Sequence, residues 1–168
     1  MAAYGETAMG HLGAGITLST EGTWHANHHR EGTMSDTTLD TAIAHDDLVT
    51  RIAARAFDTQ IFTVYTNTQR ALQRPVKGQY PHLVAIGKVD QRVEMVGMVE
   101  TVESLHDLDA AARRWRSLEH LQAAIYLYVP RGYCTDARAL CLRQHLHVSD
   151  FRHYWFEGEE LHVTRCFA

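Results

Sequence analysis

Between Thr41 and Phe57 the apolar positions Ile43, Leu48, Ile52, Ala53 and Phe57 recur at helical spacing, and Asp47 stands four residues before Arg51. The pattern predicts an amphipathic helix with a favourable ion pair on its wet side. The period then changes. IFTVYT at 61–66 is β-branched and aromatic and predicts a strand. A polar loop with Pro75 and Gly78 follows, then HLVAIGK at 82–88 as a second strand, VDQR as a turn, and VEMVGMVET at 93–101 as a third strand. Ser104 with Asp107 three residues on has the form of a capping box. It opens a helix predicted to run from 105 to 121, with Leu108, Ala112, Trp115 and Leu118 as its apolar stripe. The near-continuous apolar run AAIYLYVP at 123–130 predicts a strand buried on both faces. Thr135 is placed to cap a helix reaching about His145, and FRHYWF (151–156) with LHVTRC (161–166) around Gly158 predicts a closing hairpin.

The expected fold class is therefore α/β: a mixed central sheet flanked by helices, in the order helix, three strands, helix, strand, helix, two strands. The 123–130 strand should be central, and 82–88 should pair antiparallel with 94–101. Residues 1–34 differ in composition, being rich in Gly, Thr, His and Ala without a sustained period. They read as a flexible tail ahead of a domain over 35–168. His25, His28 and His29 gather imidazoles there, and the run MSDTTLD from Met34 has the form of a protein start, so 1–33 reads as an upstream extension.

Composition narrows the function classes. The chain has 168 residues and a formal net charge of −4, so any nucleic-acid contact must come from a local basic patch. No apolar run approaches the ~18–20 residues a membrane helix needs. Cys134, Cys141 and Cys166 are an odd, sparse set without CxxC spacing. They read as reduced thiols, neither a disulfide framework nor a zinc site, and the expected location is the cytoplasm.

The first six elements run α-β-β-β-α-β. With YTN (65–67), YPHLVAI (80–86), VGMVETVESL (96–105), the Arg-rich helix around Trp115 and IYLYVP (125–130), the chain resembles the restriction-endonuclease-like, or PD-(D/E)XK, superfamily. The resemblance covers about residues 40–156 and is closest to a small uncharacterised group within it. It implies the restriction-endonuclease-like core, here with an added helix and a C-terminal hairpin. It also implies two carboxylates at neighbouring strand ends holding a divalent metal, which activates water for phosphodiester cleavage.

The chain departs from that pattern where the chemistry sits. His82 stands where an acid is expected after Pro81. Met98 takes the first acid position of the third strand, and Glu100 takes the position usually held by Lys. The surviving catalytic candidates are Glu100 and His82, and the metal candidates are Glu100, His82 and Asp47 of the first helix. A divalent magnesium or manganese ion is implied only for an active site. Arg70, Arg74, Arg113, Arg114 and Arg116 are the candidate phosphate contacts, because guanidinium forks match phosphate oxygens. Three Arg on four helical positions cannot all face one way. Lys88 reads as a hairpin-end lysine, and Asn67 as a residue that fixes a turn.

The expected function is a catalytically degenerate nuclease-fold domain acting as a nucleic-acid-associated binding or accessory module, with DNA the favoured partner. Two other readings stay open. One is an active metal-dependent nuclease built on His82, Glu100 and Asp47. The other is a non-enzymatic interaction protein, since aromatic residues on both faces of the 151–156 strand favour an interface and a homodimer.

Overall fold

The computed structural model describes residues 44–68 and 73–167. The 1–34 segment with His25, His28 and His29, and Arg70 as well, lie outside the described residues. The elements are α1 (His45–Ala56), β1 (Phe62–Thr66), β2 (Leu83–Gly87), β3 (Val93–Val99), α2 (Leu108–Arg116), β4 (Ala124–Pro130), α3 (Cys134–Arg143), β5 (Asp150–Glu157) and β6 (Glu160–Arg165). All six strands form one mixed sheet in chain order, β1-β2-β3-β4-β5-β6. The β1-β2-β3 meander is antiparallel, β3-β4 and β4-β5 are parallel, and β5-β6 closes as an antiparallel hairpin. The expected α/β class, the β2–β3 hairpin, the interior position of β4 and the C-terminal hairpin are all present.

Alternation along the strands builds two cores. Leu83 and Ala85 face α1, where they pack with Leu48, Val49, Ile52, Val99, Tyr128 and Tyr154. Val84 and Ile86 face the opposite side, where Val96, Met98, Leu127 and Val129 meet Ala111, Trp115, Ala137 and Leu140 of α2 and α3. Both helices share that core, as expected when two parallel crossovers of the usual right hand step the same way across the sheet. Gly97 is required where β3 passes its neighbours on the α1 side. A Cβ there would stand 3.1 Å from Leu83 Cβ and 3.3 Å from Tyr128 Cε2.

Three local expectations need correction. The 105–121 helix is a 3₁₀ turn (Glu103–Leu105), α2, and a second 3₁₀ turn (Glu119–Leu121). The cap of α2 is Asp107, which accepts from the Ala110 N–H at 2.8 Å, so the Asp107 side chain starts the helix and Ser104 lies outside it. Helix α3 begins at Cys134, before Thr135, with no side-chain cap, and His145 at φ 52° follows its end. Cys134 and Cys166 are joined as a disulfide across 32 residues, contrary to the reading of three reduced thiols. Cys141 is free and buried, and burial pushes its thiol up to about 11. Among the described residues, no helix is long and apolar enough to cross a membrane.

Candidate functional site

The C-terminal ends of parallel strands are where open α/β sheets carry ligands. Here the ends of β3 and β4 gather His45, His82, Glu100, Ser104, Arg114, Trp115 and the Tyr154 hydroxyl. Glu100 follows β3 directly, and its N–H donates to the Tyr128 carbonyl at 2.9 Å, which carries the β3–β4 ladder one residue further. The Tyr154 hydroxyl donates to the Glu100 carbonyl at 2.8 Å. The backbone of Glu100 is thus fixed on both sides.

Its side chain is fully buried. Oε1 accepts from Trp115 Nε1 at 2.7 Å. Oε2 accepts from the Ser104 hydroxyl at 2.5 Å and from Arg114 Nη2 at 2.6 Å. Arg114 also donates to the Ser104 carbonyl at 3.2 Å. Ser104 is held in turn, because its Oγ accepts from the Thr101 N–H at 2.8 Å while Thr101 Oγ1 accepts from the Ser104 N–H at 3.2 Å. A buried carboxylate needs a counter-charge and satisfied lone pairs. α2 supplies both through adjacent residues, Arg114 and Trp115.

His82 turns its ring to the Val99 peptide. Val99 N–H donates to His82 Nδ1 at 3.0 Å, and His45 Nε2 lies 3.1 Å from the Val99 carbonyl. The two rings meet edge to face at 4.5 Å. Burial first, then the neighbouring His45, lowers the His82 pKa to about 4, while the Glu100 carboxylate pulls the other way. At neutral pH the ring is therefore uncharged, with its proton on Nε2. A neutral imidazole has one acceptor nitrogen, and in His82 it serves Val99.

These side chains do not fit a hard divalent cation. The lone pair of His82 and both oxygens of Glu100 are engaged by protein donors. Met98 is buried in the core beneath α2, and a thioether is no ligand for magnesium. Asp47 does not join the cluster. It sits on the exposed side of α1 and pairs with Arg51 at 2.8 Å. Lys88 is exposed at the far end of the β2–β3 hairpin. The structure therefore brings Glu100 and His82 to the same strand ends and leaves Asp47 and Met98 elsewhere.

The arginines divide in the way helical geometry requires. Arg114 faces inward to Glu100, Arg116 reaches the Gln144 carbonyl at 2.7 Å, and Arg113 is exposed without a side-chain partner among the described residues. Arg74 is exposed, with its guanidinium 5.6 Å from the centre of the Tyr65 ring. Asn67 fixes that loop: Nδ2 donates to the Pro81 carbonyl at 2.6 Å and Oδ1 accepts from the Arg74 N–H at 2.6 Å. On β5, Tyr154 and Phe156 pack on the α1 side, while Phe151 packs beneath α3.

Sequence reasoning singled out Glu100 and missed what holds it. The local pattern makes Ser104 a helix cap and Arg114 a candidate phosphate contact, whereas the structure turns both onto the Glu100 carboxylate. The usable signal was the combination of an acid at a strand end with adjacent Arg and Trp one helix later. Comparison with protein-family models, with curated proteins and with solved structures returned no match.

Proposed function

We propose that this chain is a non-hydrolytic, nuclease-like domain that binds nucleic acid as an accessory module. The observation that carries the reading is the Glu100 carboxylate. Its position at the end of β3 suits a metal ligand, yet it is fully buried and serves Trp115, Ser104 and Arg114. The α-β-β-β-α-β order with an antiparallel meander and a parallel fourth strand supports the restriction-endonuclease-like reading of the core. A metal site that becomes a structural ion pair keeps the fold and loses the hydrolysis.

Of the candidate arginines among the described residues, Arg74 and Arg113 are exposed and carry no ion pair, and phosphate contacts fall to them. Arg114 is excluded from that role because it neutralises Glu100. The partner favoured by the resemblance is duplex DNA. Contacts of this kind release counterions, so affinity falls with salt at a log–log slope of about −0.9 per phosphate neutralised.

Fluorescence anisotropy of labelled duplex DNA across a salt series tests the proposal. Binding should weaken steeply with salt, and Arg74→Ala with Arg113→Ala should flatten the slope without changing the thermal transition. Salt-insensitive binding, or no binding at low salt by a folded chain, overturns the nucleic-acid reading. A tight dimer without DNA affinity would put the interaction-protein reading in its place.

A further inference from the structure

We propose that Cys134, His153 and Cys166 form a redox-gated site for a thiophilic divalent cation of the zinc class, closed while the two sulfurs are bonded and opened by their reduction. Three elements bring the ligands together. Cys134 is the first residue of α3. His153 and Thr164 are register partners in the β5–β6 hairpin, and the Cys166 N–H donates to the Phe151 carbonyl at 2.8 Å. Alternation therefore puts His153 and Cys166 on the same face of the hairpin, diagonal to one another. The N-terminus of α3 comes down on that face. The two Sγ atoms and a ring nitrogen of His153 all lie within 4.8 Å of one another. Cys134 Sγ is 3.3 Å from His153 Nδ1.

The donor set is two thiolates and one imidazole, which selects zinc over magnesium or calcium. Zn–S bonds of about 2.3 Å and Zn–N bonds of about 2.0–2.1 Å in a tetrahedron place ligand atoms roughly 3.5–3.8 Å apart. The Cα atoms of Cys134 and Cys166 are 5.8 Å apart, which lets side-chain rotation alone separate the sulfurs to that spacing. The ring of His153 is packed edge-on against Trp155 at 5.4 Å, and Trp155 is stacked on His162 at 5.0 Å. Such packing orients a ligand before the metal arrives. Three protein ligands leave a fourth position for water or an added ligand.

The two states exchange in a balanced way. A phosphine reductant gives two electrons, the S–S bond breaks, and one water supplies two protons to the thiols and its oxygen to the phosphine oxide; a dithiol reductant instead passes its own two thiol protons as it closes to a disulfide. Zinc binding then displaces both thiol protons and takes the lone pair of His153. In the reverse direction a disulfide oxidant takes up the two electrons and, with two protons, leaves as two thiols, while the S–S bond re-forms and the metal is released. The sequence alone concealed this site because its ligands are 19 and 13 residues apart, without local spacing.

The full chain, reduced by phosphine under anaerobic conditions and freed of reductant, is titrated with cobalt(II) and then zinc(II). One cobalt per chain should bind with a thiolate-to-cobalt absorption band, and zinc should displace it. Oxidised protein keeps every histidine of the chain and should show no such band. His153→Ala and Cys166→Ser should each weaken cobalt binding by more than about 100-fold, since losing an outer-shell partner alone costs about 10–100-fold. Cys141→Ser should bind as the parent does. A reduced, folded chain without the band overturns the proposal, as does a band that survives His153→Ala unchanged or is lost in Cys141→Ser. If reduction unfolds the chain, zinc must restore its native circular dichroism, and failure to do so also overturns it.

Discussion

Neutralising Glu100 should unfold this protein more readily. In Glu100→Gln the shape of the side chain is kept, but one carboxylate oxygen becomes an amino group. Trp115 Nε1 can still donate to the remaining oxygen. The amide NH2 then faces Arg114, a donor against a donor, and the Ser104 hydroxyl loses the oxygen to which it donated. Breaking a buried ion pair costs about 3–5 kcal/mol. The Arg114 side chain is 38% exposed, so its freed guanidinium regains water. That places the expected loss at the low end, about 3 kcal/mol. For a chain of this size the midpoint should fall by roughly 6–12 °C, at about 2–4 °C per kcal/mol. Urea unfolding followed by tryptophan fluorescence, with calorimetry alongside, measures both quantities. Equal or greater stability in the variant would refute the reasoning. That result is expected of a carboxylate retained for chemistry at the expense of the fold.

Three further outcomes follow from named contacts. His82 binds a proton less readily when folded, at about 4 against 6.5 unfolded, so its contribution is complete above pH 6.5 and is lost as pH falls towards 4. His82→Asn keeps an acceptor for the Val99 N–H without titrating, so the stability difference between parent and variant should change by up to about 3 kcal/mol across that window. Parallel pH curves would contradict it. Gly97→Ala should cost about 1–3 kcal/mol, because its Cβ meets Leu83 and Tyr128 at 3.1–3.3 Å inside the α1-side core. An unchanged urea midpoint would mean that β3 shifts freely there. Arg114→Ala should lower stability strongly while Arg113→Ala leaves it within about 0.5 kcal/mol, so equal effects would remove the distinction drawn between the two.

What the sequence revealed and what it hid follow from range. The strands were legible because β-branched runs and their alternation are local, and 83–87 with 93–99 needed only a short turn to pair. The central position of 124–130 was legible from its apolar run. The break in the helix after Ser104 was not, because Ser104 and Asp107 are both good caps by local rules. The pull of Glu100 on the Ser104 hydroxyl and the reciprocal Thr101–Ser104 bonds decide between them. The division among Arg113, Arg114 and Arg116 was visible in helical spacing, but which one turns inward depends on a carboxylate 14 residues earlier. His82 was recognisable as a departure from an acid. Its bond to the Val99 N–H was hidden, since it depends on the β2–β3 register. The pairing of Cys134 with Cys166 depends on where α3 begins and on the register of the last hairpin, and neither can be read from cysteine spacing.

A cleavage assay decides whether the Glu100 carboxylate serves a hydrolytic metal or only its partners Trp115, Ser104 and Arg114. Purified full chain is incubated with plasmid and linear duplex DNA in magnesium and, separately, in manganese, beside Glu100→Gln under conditions where the variant is folded. Neither protein should cleave DNA with either metal, and the DNA should be recovered intact. Cleavage by the parent that disappears in the folded Glu100→Gln protein would contradict this expectation and assign Glu100 to catalysis.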